Sequence, residues 1–330
     1  KMAETDNVQL TADEAELYDR QIRLWGLESQ KRLRASRILI AGLNGLGAEI
    51  AKNIILSGVK SVKLQDDKNV TEQESTSQFL IPPDSLGKNR AESSLARARA
   101  LNPMVEVTAD VEPVTKKAEE YFENFDVVFV SEVQTNELAR IDEICRDKNI
   151  KFFAGDLWGM FGYSFADLQS HEFVEDIMKH KIISKPGEKT KTELVTSTVK
   201  RSLEFPPFEN VLKFDITAPE YTKRLKRTGP AFIKLRILQT FRDRFNRDPS
   251  YKLREADITE LCKIRDEIAK GLLDDSSFSH VFCQISPAAA IVGGEVAQEI
   301  IKTVSQKEAP HLNVFLFDPD TCCGFIEHIK

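Results

Sequence analysis

Cysteine, long apolar runs and an excess of basic charge are all scarce in this sequence. Its 330 residues include only five cysteines at irregular spacing, a usage typical of a reducing compartment. No apolar run approaches the roughly 18 residues of a membrane-spanning helix, and the polar N-terminus has no secretory signal. The 46 basic and 52 acidic residues give a net charge of -6, which argues against non-specific nucleic-acid binding. These absences predict a soluble, intracellular protein.

The composition supports a folded chain of one or two domains. Hydrophobic residues make up 41% of the sequence and charged residues 30%, a balance typical of globular domains with a buried core. At roughly 150 residues per domain, the length predicts about two units, or one α/β domain with an insertion. Residues 1–10 are predicted to be a disordered tail. A capping box from Thr11 to Glu14 predicts the first helix, running toward Arg20.

The first chemical signal is a glycine-rich turn at residues 42–47. It follows an apolar run without alternation, which is typical of a strand buried on both faces. A helical repeat and a second apolar run follow, so the segment predicts the βαβ opening of a nucleotide-binding sheet. Gly42 and Gly47 suit two positions of a dinucleotide fingerprint, but Asn44 stands at the middle one. Alone, the turn fits an altered phosphate loop or a ligand-free turn equally well.

Alternating helices and strands continue to about residue 154 and return near the C-terminus. The pattern predicts an α/β fold: a Rossmann-like, doubly wound, mostly parallel sheet with an inserted, partly helical region and a C-terminal antiparallel edge. The last helix should be capped by Ser286, with Pro287 at its first position. Within it, Gly293 and Gly294 each cost about 1 kcal/mol relative to alanine. The pair therefore indicates close packing against the sheet or a partner.

Several motifs, in order, resemble those of the ubiquitin-like-protein activating enzymes, in the ThiF-like adenylating family. The segment YDRQIRLWG at residues 18–26 is similar to the opening signature of that family, and the glycine turn follows at the family's spacing. LGKNRA at 86–91, LNP at 101–103 and VGG at 292–294 follow in the family's order. This resemblance is much more specific than the turn by itself.

The resemblance covers the two ends of the chain. It implies an adenylation-type domain formed by residues 11–170 and 285–330, interrupted by an insertion over 171–284. A charged stretch near 175–200, poor in large apolar groups, is predicted to be a mobile surface segment.

The sequence departs from the active members of this family where those members bind nucleotide. Asn44 replaces a glycine, Lys68 a carboxylate, Ser77 the phosphate-binding arginine, and Val133-Gln134 the magnesium-binding Asp-Asn pair. Valine and glutamine cannot form a carboxylate magnesium site. The resemblance therefore implies a degenerate pocket with no cofactor of its own. Its vestige comprises Gly42, Asn44, Gly45, Gly47, Asp66 and Arg90.

None of the five cysteines has the Pro-x-Cys-Thr context of the family's nucleophile. Cys145 and Cys262 fall on predicted amphipathic helices and are interpreted as core residues. The chain also lacks the Cys-x-x-Cys pairs that hold zinc in bacterial relatives. We therefore predict neither a catalytic thiol nor a metal site in this chain.

This combination is similar to the small, non-thiol subunits of heterodimeric activating enzymes, and the length and residues 152–175 resemble the SUMO type. The resemblance implies an enzyme that uses ATP and Mg²⁺ to adenylate the C-terminus of SUMO. The acyl group then passes to a cysteine of the large catalytic subunit, an obligate partner that binds most of the ATP and Mg²⁺. A nuclear location with some cytoplasmic protein is expected, without nucleic-acid or membrane partners.

Within the signature, the resemblance assigns Arg20 a catalytic role in trans, on the phosphates of ATP in the partner. Arg23 is a weaker second contact. Positioned guanidinium groups neutralise concentrated phosphate charge well. A surface arginine is usually only a solvated charge, so this assignment depends on the flanking signature.

Other interpretations remain open at this level. The chain could be the small subunit of another heterodimer, such as the NEDD8 type, a free-standing nucleotide-dependent enzyme, or a purely structural scaffold. The basic run at residues 223–227 could be a nuclear-localisation signal, although a solvated helix face is favoured. Trp25 and Trp158 are interpreted as core or interface anchors.

Overall fold

A computed structural model describes residues 9–182, 192–219, 221, 223, 225 and 229–330. Its centre is an eight-stranded sheet of order β10-β9-β6-β5-β4-β1-β2-β3, with β7 and β8 forming a separate two-stranded sheet. The strands are β1 Arg37–Ala41, β2 Ser61–Gln65, β3 Glu106–Asp110, β4 Val127–Val130, β5 Lys151–Trp158, β6 Phe161–Asp167, β7 Ser170–Ile182, β8 Thr192–Glu204, β9 Val314–Asp318 and β10 Cys323–Glu327.

Helices cover both faces of the large sheet. In the described part of the chain they are α1 Ala12–Leu17, α2 Asp19–Trp25, α3 Leu27–Ala35, α4 Gly45–Leu56, α5 Arg90–Leu101, α6 Glu119–Phe122, α7 Thr135–Asp147, α8 Phe208–Lys213, α9 Ala231–Phe245, α10 Arg254–Ala269 and α11 Ser286–Ser305. None of the described helices is long and apolar enough to cross a membrane.

The predicted α/β fold is confirmed. Strands β3, β2, β1, β4 and β5 pair in parallel, and β6, β9 and β10 add an antiparallel edge. One core lies between the sheet and α3, α4, α5 and α11. The other core unites α7 with α8, α9 and α10. The helices of the predicted insertion therefore pack against the main sheet.

The chain start follows the predicted capping box, although the helix is shorter than expected. The Glu14 amide donates to Thr11 Oγ1 and the Thr11 amide donates to Glu14 Oε2. The helix ends at Leu17, and Arg20 lies on the next helix. Residues 1–8, most of the predicted tail, lie outside the described residues.

The start of α11 differs by one residue from its prediction. Ser286 is the first helical residue, not the cap, and Ile285 at the cap position makes no side-chain capping bond. Pro287 still lies in the first turn. Proline is tolerated there because the N–H groups of the first turn have no intrahelical acceptor.

Residues near 175–200, predicted to be a mobile surface segment, include strands that the sequence analysis did not identify. Residues 175–182 and 192–200 belong to β7 and β8, which pair from Ser170 opposite Glu204 to Ile182 opposite Thr192. This ribbon contributes few buried side chains, so its sequence lacks the apolar alternation by which strands are recognised. Its mobility stays a prediction, and its tip at 183–191 lies outside the described residues.

Of the two adjacent glycines in α11, Gly293 is required by close packing. A Cβ at this position would lie 2.6 Å from Glu49 Cβ and 3.3 Å from the Leu46 carbonyl oxygen on α4. A Cβ at Gly294 would meet nothing within 4 Å. The close neighbour of Gly293 is therefore α4 of the same chain, not the sheet or a partner as expected from the sequence, and of the two glycines only Gly293 requires the space among the described residues.

These two glycines make a matched test of helix packing. We expect Gly293→Ala to lower the free energy of unfolding by about 1–3 kcal/mol, because α4 or α11 must move. Gly294→Ala should raise it by up to about 1 kcal/mol, since alanine favours a helix. Urea unfolding of the two variants measures both changes, and equal effects would contradict the packing asymmetry.

A buried carboxyl pair connects α7 to β6 and α8. Asp142 is 1% exposed, and its Oδ2 accepts a 2.7 Å hydrogen bond from the Phe208 amide. The pKa of Asp142 is raised to about 8, chiefly by burial and secondly by the nearby charge of Asp167. Arg146 donates to Asp167 Oδ2 over 2.5 Å. Asp142 is thus the carboxyl that carries the proton in the folded protein at neutral pH.

This proton makes stability depend on pH. Because the folded-state pKa of Asp142 is raised, its contribution is present below about pH 4 and is lost as pH rises towards 8. Asp142→Asn keeps the shape and a donor to Asp167. The variant should therefore gain stability over the wild type by at most about 1.4 kcal/mol per pH unit in this window.

Urea unfolding at several pH values from 5 to about 8 measures the gain. Asp84→Asn, at an exposed position, is the control. Parallel pH profiles for wild type and Asp142→Asn would show that the pair does not share a proton.

Candidate functional site

The glycine turn joins β1 to α4 at the carboxyl edge of the parallel strands, where ligands of open α/β sheets bind. Asn44 is the N-cap of α4, and its Oδ1 accepts a 2.9 Å hydrogen bond from the Gly47 amide. Gly42 has φ +101°, and a Cβ on Gly47 would lie 1.9 Å from the Gly42 carbonyl oxygen. Packing alone therefore requires both glycines, and Asn44 satisfies an amide that an anion could otherwise bind.

Gln284, which the sequence analysis did not single out, covers the start of α4. Its Oε1 accepts a 3.1 Å hydrogen bond from the Gly45 amide, and its Nε2 donates to the Leu157 carbonyl over 2.9 Å. The hydroxyl of Ser77 would lie 2.4 Å from a Cβ on Gly45. The helix N-terminus thus faces uncharged side chains of the same chain. No local sequence pattern predicts the role of Gln284, because Gln284 and Gly45 are 239 residues apart in the sequence.

A buried ion cluster centred on Arg90 lies beside the turn. The Arg90 guanidinium is 2.5 Å from Glu74 Oε1, 2.7 Å from Glu132 Oε2 and 3.5 Å from Asp66 Oδ2. Lys68 Nζ is 2.9 Å from Glu132 Oε2. The Leu43 amide donates to Asp66 Oδ2 over 2.6 Å. The structure therefore brings Asp66 and Arg90 together, as the sequence analysis proposed, and adds Glu74 and Glu132.

The charges in this cluster largely satisfy one another. Burial raises the pKa of Glu132, but the positive charges of Arg90 and Lys68 outweigh burial, so the pKa lies well below its usual value. Burial also raises the pKa of Asp66, which Arg90 only partly offsets. Three carboxylates face two cations. The cluster therefore offers no net positive charge to an anionic ligand.

Arg242 on α9 lies next to Val133 at the same edge of the sheet. Its guanidinium donates to Asp156 Oδ2 over 2.7 Å, Asp248 Oδ2 over 3.0 Å and the Val133 carbonyl over 3.2 Å. It also lies 4.8 Å from the ring centroid of Trp158, which is 2% exposed. An insertion residue thus supplies a fixed positive charge at this edge, and Trp158 is a core anchor as predicted.

The space left between these groups is small. A cleft of about 60 Å³ is lined by residues of the turn, the ion cluster and the insertion, among them Asn44, Gly45, Arg90, Glu132 and Gln284. Pockets that hold drug-sized ligands measure about 300–1,000 Å³. In this conformation the cleft accommodates a few water molecules and no nucleotide.

Arg20 lies far from this cleft. Its side chain is exposed on α2, and in the described part of the chain it makes no hydrogen bond or ion pair. The neighbouring Gln21 donates to the Leu56 carbonyl over 3.1 Å, at the far end of α4 from the glycine turn. A helix of this length, 12 residues, spans about 18 Å. Arg20 therefore does not contribute to the cleft of its own chain.

Three leucines near Arg20 in the sequence are exposed to solvent. Leu17, Leu24 and Leu27 are 57%, 72% and 47% exposed. Arg23, in contrast to Arg20, pairs with Asp19 over 3.0 Å, with both side chains mostly in solvent. A free arginine bordered by exposed leucines is typical of a surface that contacts another protein.

The structure describes all five cysteines, and none forms a disulfide. Cys145 is buried as predicted, and burial raises the pKa of its thiol well above its usual value. Cys262 is only half-buried, so its interpretation as a core residue was too strong. Of the basic run at 223–227, Arg224, Lys226 and Arg227 lie outside the described residues.

Comparison with known proteins gives a consistent result. The ThiF family matches residues 18–327. SUMO-activating enzyme subunit 1 of Xenopus tropicalis is 43% identical over 342 aligned positions, covering 99% of each chain. The human protein of the same name is 43% identical and covers 96% of each chain. The Danio rerio protein is 41% identical, with 99% of this chain and 98% of that one covered.

Solved structures agree on the fold. The crystal structure of selenomethionine PaaA covers 98% of this chain and 77% of its own, with a TM-score of 0.58 and 17% identity. Escherichia coli MccB with succinimide covers 95% and 71%, with a TM-score of 0.55 and 12% identity. At such identities the likeness concerns the fold alone. From the family match and the near-full-length relatives together, the chain belongs to the ThiF family, in the group of SUMO-activating enzyme subunit 1 proteins.

Proposed function

We propose that this chain is the non-thiol subunit of a heterodimeric SUMO-activating enzyme. The names of its full-length relatives support the assignment. The observation that carries the mechanism is Arg20: an exposed arginine without an ionic partner, within the family's opening signature, and about a helix length away from its own chain's cleft. Such a group can act on phosphates only in another chain.

In the proposed reaction, ATP with Mg²⁺ bound to the large subunit adenylates the C-terminal carboxylate of SUMO and releases pyrophosphate. The guanidinium of Arg20 donates hydrogen bonds to the phosphates and neutralises charge that builds up as the bond to pyrophosphate breaks. A cysteine of the large subunit then accepts the acyl group as a thioester. This chain supplies no nucleophile in the proposal, since its thiols lack the family's context.

The chain's own nucleotide site is, in this proposal, degenerate. The side chains of Gln284 and Asn44 accept hydrogen bonds from two backbone amides at the start of α4. The Arg90 cluster has no spare positive charge. The cleft of about 60 Å³ is far smaller than a ligand pocket. Opening the cleft would leave Glu132 and Glu74 buried without a partner, which is costly. ATP and Mg²⁺ are thus held mainly by the partner.

The apolar surface around Arg20 supports an obligate association. Leu17, Leu24 and Leu27 border the arginine, so burying them against the large subunit would hold Arg20 in a water-poor environment, where its charge acts more strongly. Arg23, already paired with Asp19, is the weaker contributor. A nuclear location with some cytoplasmic protein belongs to the same proposal, and imaging of the tagged chain tests it.

The role of Arg20 is tested with the reconstituted heterodimer. We expect Arg20→Ala to slow ATP–pyrophosphate exchange by about 10²-fold or more, because a donor to developing charge is lost. Arg23→Ala is the matched control and should have a much smaller effect. Size-exclusion chromatography checks that both variants still assemble. Normal exchange by an assembled Arg20→Ala enzyme would favour the purely structural scaffold.

Nucleotide stoichiometry tests the degenerate site. Isothermal titration of ATP with Mg²⁺ should show a single site per heterodimer and no binding to this chain alone, since its cleft is closed and lacks spare positive charge. Two sites per heterodimer, or binding to the isolated chain, would instead support a free-standing nucleotide-dependent enzyme. Comparing thioester formation with SUMO and with NEDD8 distinguishes the two types of heterodimer.

A further inference from the structure

Two glutamates of α11 and one histidine form a compact group on the side of the molecule that carries the ribbon. Glu295 and Glu299 lie one helical turn apart, so their side chains share a face. His311 follows in the loop between α11 and β9. One ligand atom from each of these residues lies within 4.8 Å of the other two. None of the three residues takes part in the site described above.

The separations within this group suit a small divalent cation. His311 Nδ1 lies 3.0 Å from Glu295 Oε1 and 3.8 Å from Glu299 Oε1. Ligand atoms that sit about 2.0–2.2 Å from a tetrahedral zinc ion are about 3.4 Å apart. The two separations from His311 lie on either side of this value, and all three atoms lie within 4.8 Å of one another. Binding of one ion by all three atoms therefore needs only side-chain movements.

The imidazole nitrogen that faces the carboxylates lies within ion-pair distance of Glu295 but makes no aligned hydrogen bond. His311 Nδ1 is inaccessible to solvent and has no hydrogen-bond partner in the described part of the chain, although a carboxylate oxygen is only 3.0 Å away. That contact lacks the alignment of a hydrogen bond. A buried nitrogen without a donor or acceptor is costly, and a metal ion would satisfy its lone pair.

Lys302 competes for the same place. Its Nζ is 2.7 Å from Glu299 Oε1, while the His311 amide donates to Glu299 Oε2 over 2.6 Å. The ammonium group therefore neutralises Glu299 when no cation is bound. Lys302 keeps part of its side chain in solvent, so a metal ion can displace the ammonium group outward while the amide continues to orient Glu299.

We propose that Glu295, Glu299 and His311 form a binding site for a divalent transition-metal ion of the zinc type. Two carboxylate oxygens and one imidazole nitrogen are a donor set typical of zinc, with a fourth position left for water. Calcium and magnesium prefer oxygen ligands only, so they bind here poorly.

The site lies where the ribbon meets the main sheet. The Val174 amide donates to the Gln306 carbonyl over 2.9 Å, and the Glu308 amide donates to the Val174 carbonyl over 2.9 Å. Lys307 also pairs with Asp176 over 3.7 Å. An ion bound by α11 and His311 would cross-link the two ends of the loop at residues 306–311. Residues 306–308 of this loop make the contacts to β7. The consequence is a ribbon base that resists local unfolding more strongly when the metal is bound.

The test uses zinc chloride and the full chain in a Cys322→Ser, Cys323→Ser background, because two exposed adjacent thiols would bind zinc themselves. Isothermal titration should show one site. His311→Gln and Glu295→Gln should weaken it by at least about tenfold. Lys302→Met should tighten it, since the competing cation is gone. His280→Gln, at an exposed histidine outside this group, is the control and should change nothing.

Cobalt(II) absorption and hydrogen exchange complete the test. The cobalt spectrum should indicate nitrogen and oxygen ligands, and zinc should slow amide exchange in residues 170–176 and 306–311. Absence of a stoichiometric site, or equal binding by His311→Gln and the His280→Gln control, would overturn the proposal. Tighter binding of Mg²⁺ than of Zn²⁺ would also overturn it.

Discussion

Arg90 is the charge on which the carboxyl edge of the sheet depends. It is almost completely buried and contacts two carboxylates that follow β2 and β4 and a third within the short helix at 72–76. Removing one partner of such a network leaves uncompensated buried charge, at a cost of about 3–5 kcal/mol. The carboxylates come from segments far apart in sequence, so Arg90 holds together the loops that elsewhere in this fold surround a ligand.

The carboxyl edge of the parallel strands leaves little space for a ligand in this chain. In open α/β sheets this crevice is the usual ligand site, yet here side chains satisfy the helix amides and the insertion supplies Arg242 from α9. These polar groups therefore satisfy one another within the folded chain. Under the proposed function, the reaction takes place in the partner subunit. This chain contributes the guanidinium of Arg20 and the exposed leucines near it.

Sequence patterns predicted elements with strong local signals and failed where those signals are weak. The apolar run of β1 and the glycine turn were placed closely, because a strand buried on both faces gives an unbroken apolar run that ends in the turn. The ribbon of β7 and β8 was missed because most of its described side chains face solvent, so its sequence lacks apolar alternation. The cap of α11 was misplaced by one residue, since serine before proline suits either of two positions. Gln284, Glu132 and Arg242 were missed because their partners are distant in sequence.

The sequence by itself determined the parallel α/β class, the family, and the residue types at the turn, because these depend on local periodicity and on short ordered motifs. It also led, through the resemblance, to the prediction that Asn44, Ser77 and Val133 replace nucleotide-binding residues of the family. Only the tertiary structure decided what surrounds the start of α4: an amide cap from Gln284, a cluster around Arg90 and a guanidinium from Arg242. The separation of Arg20 from that cleft was likewise decided by packing, since it depends on which end of α4 the first helices contact.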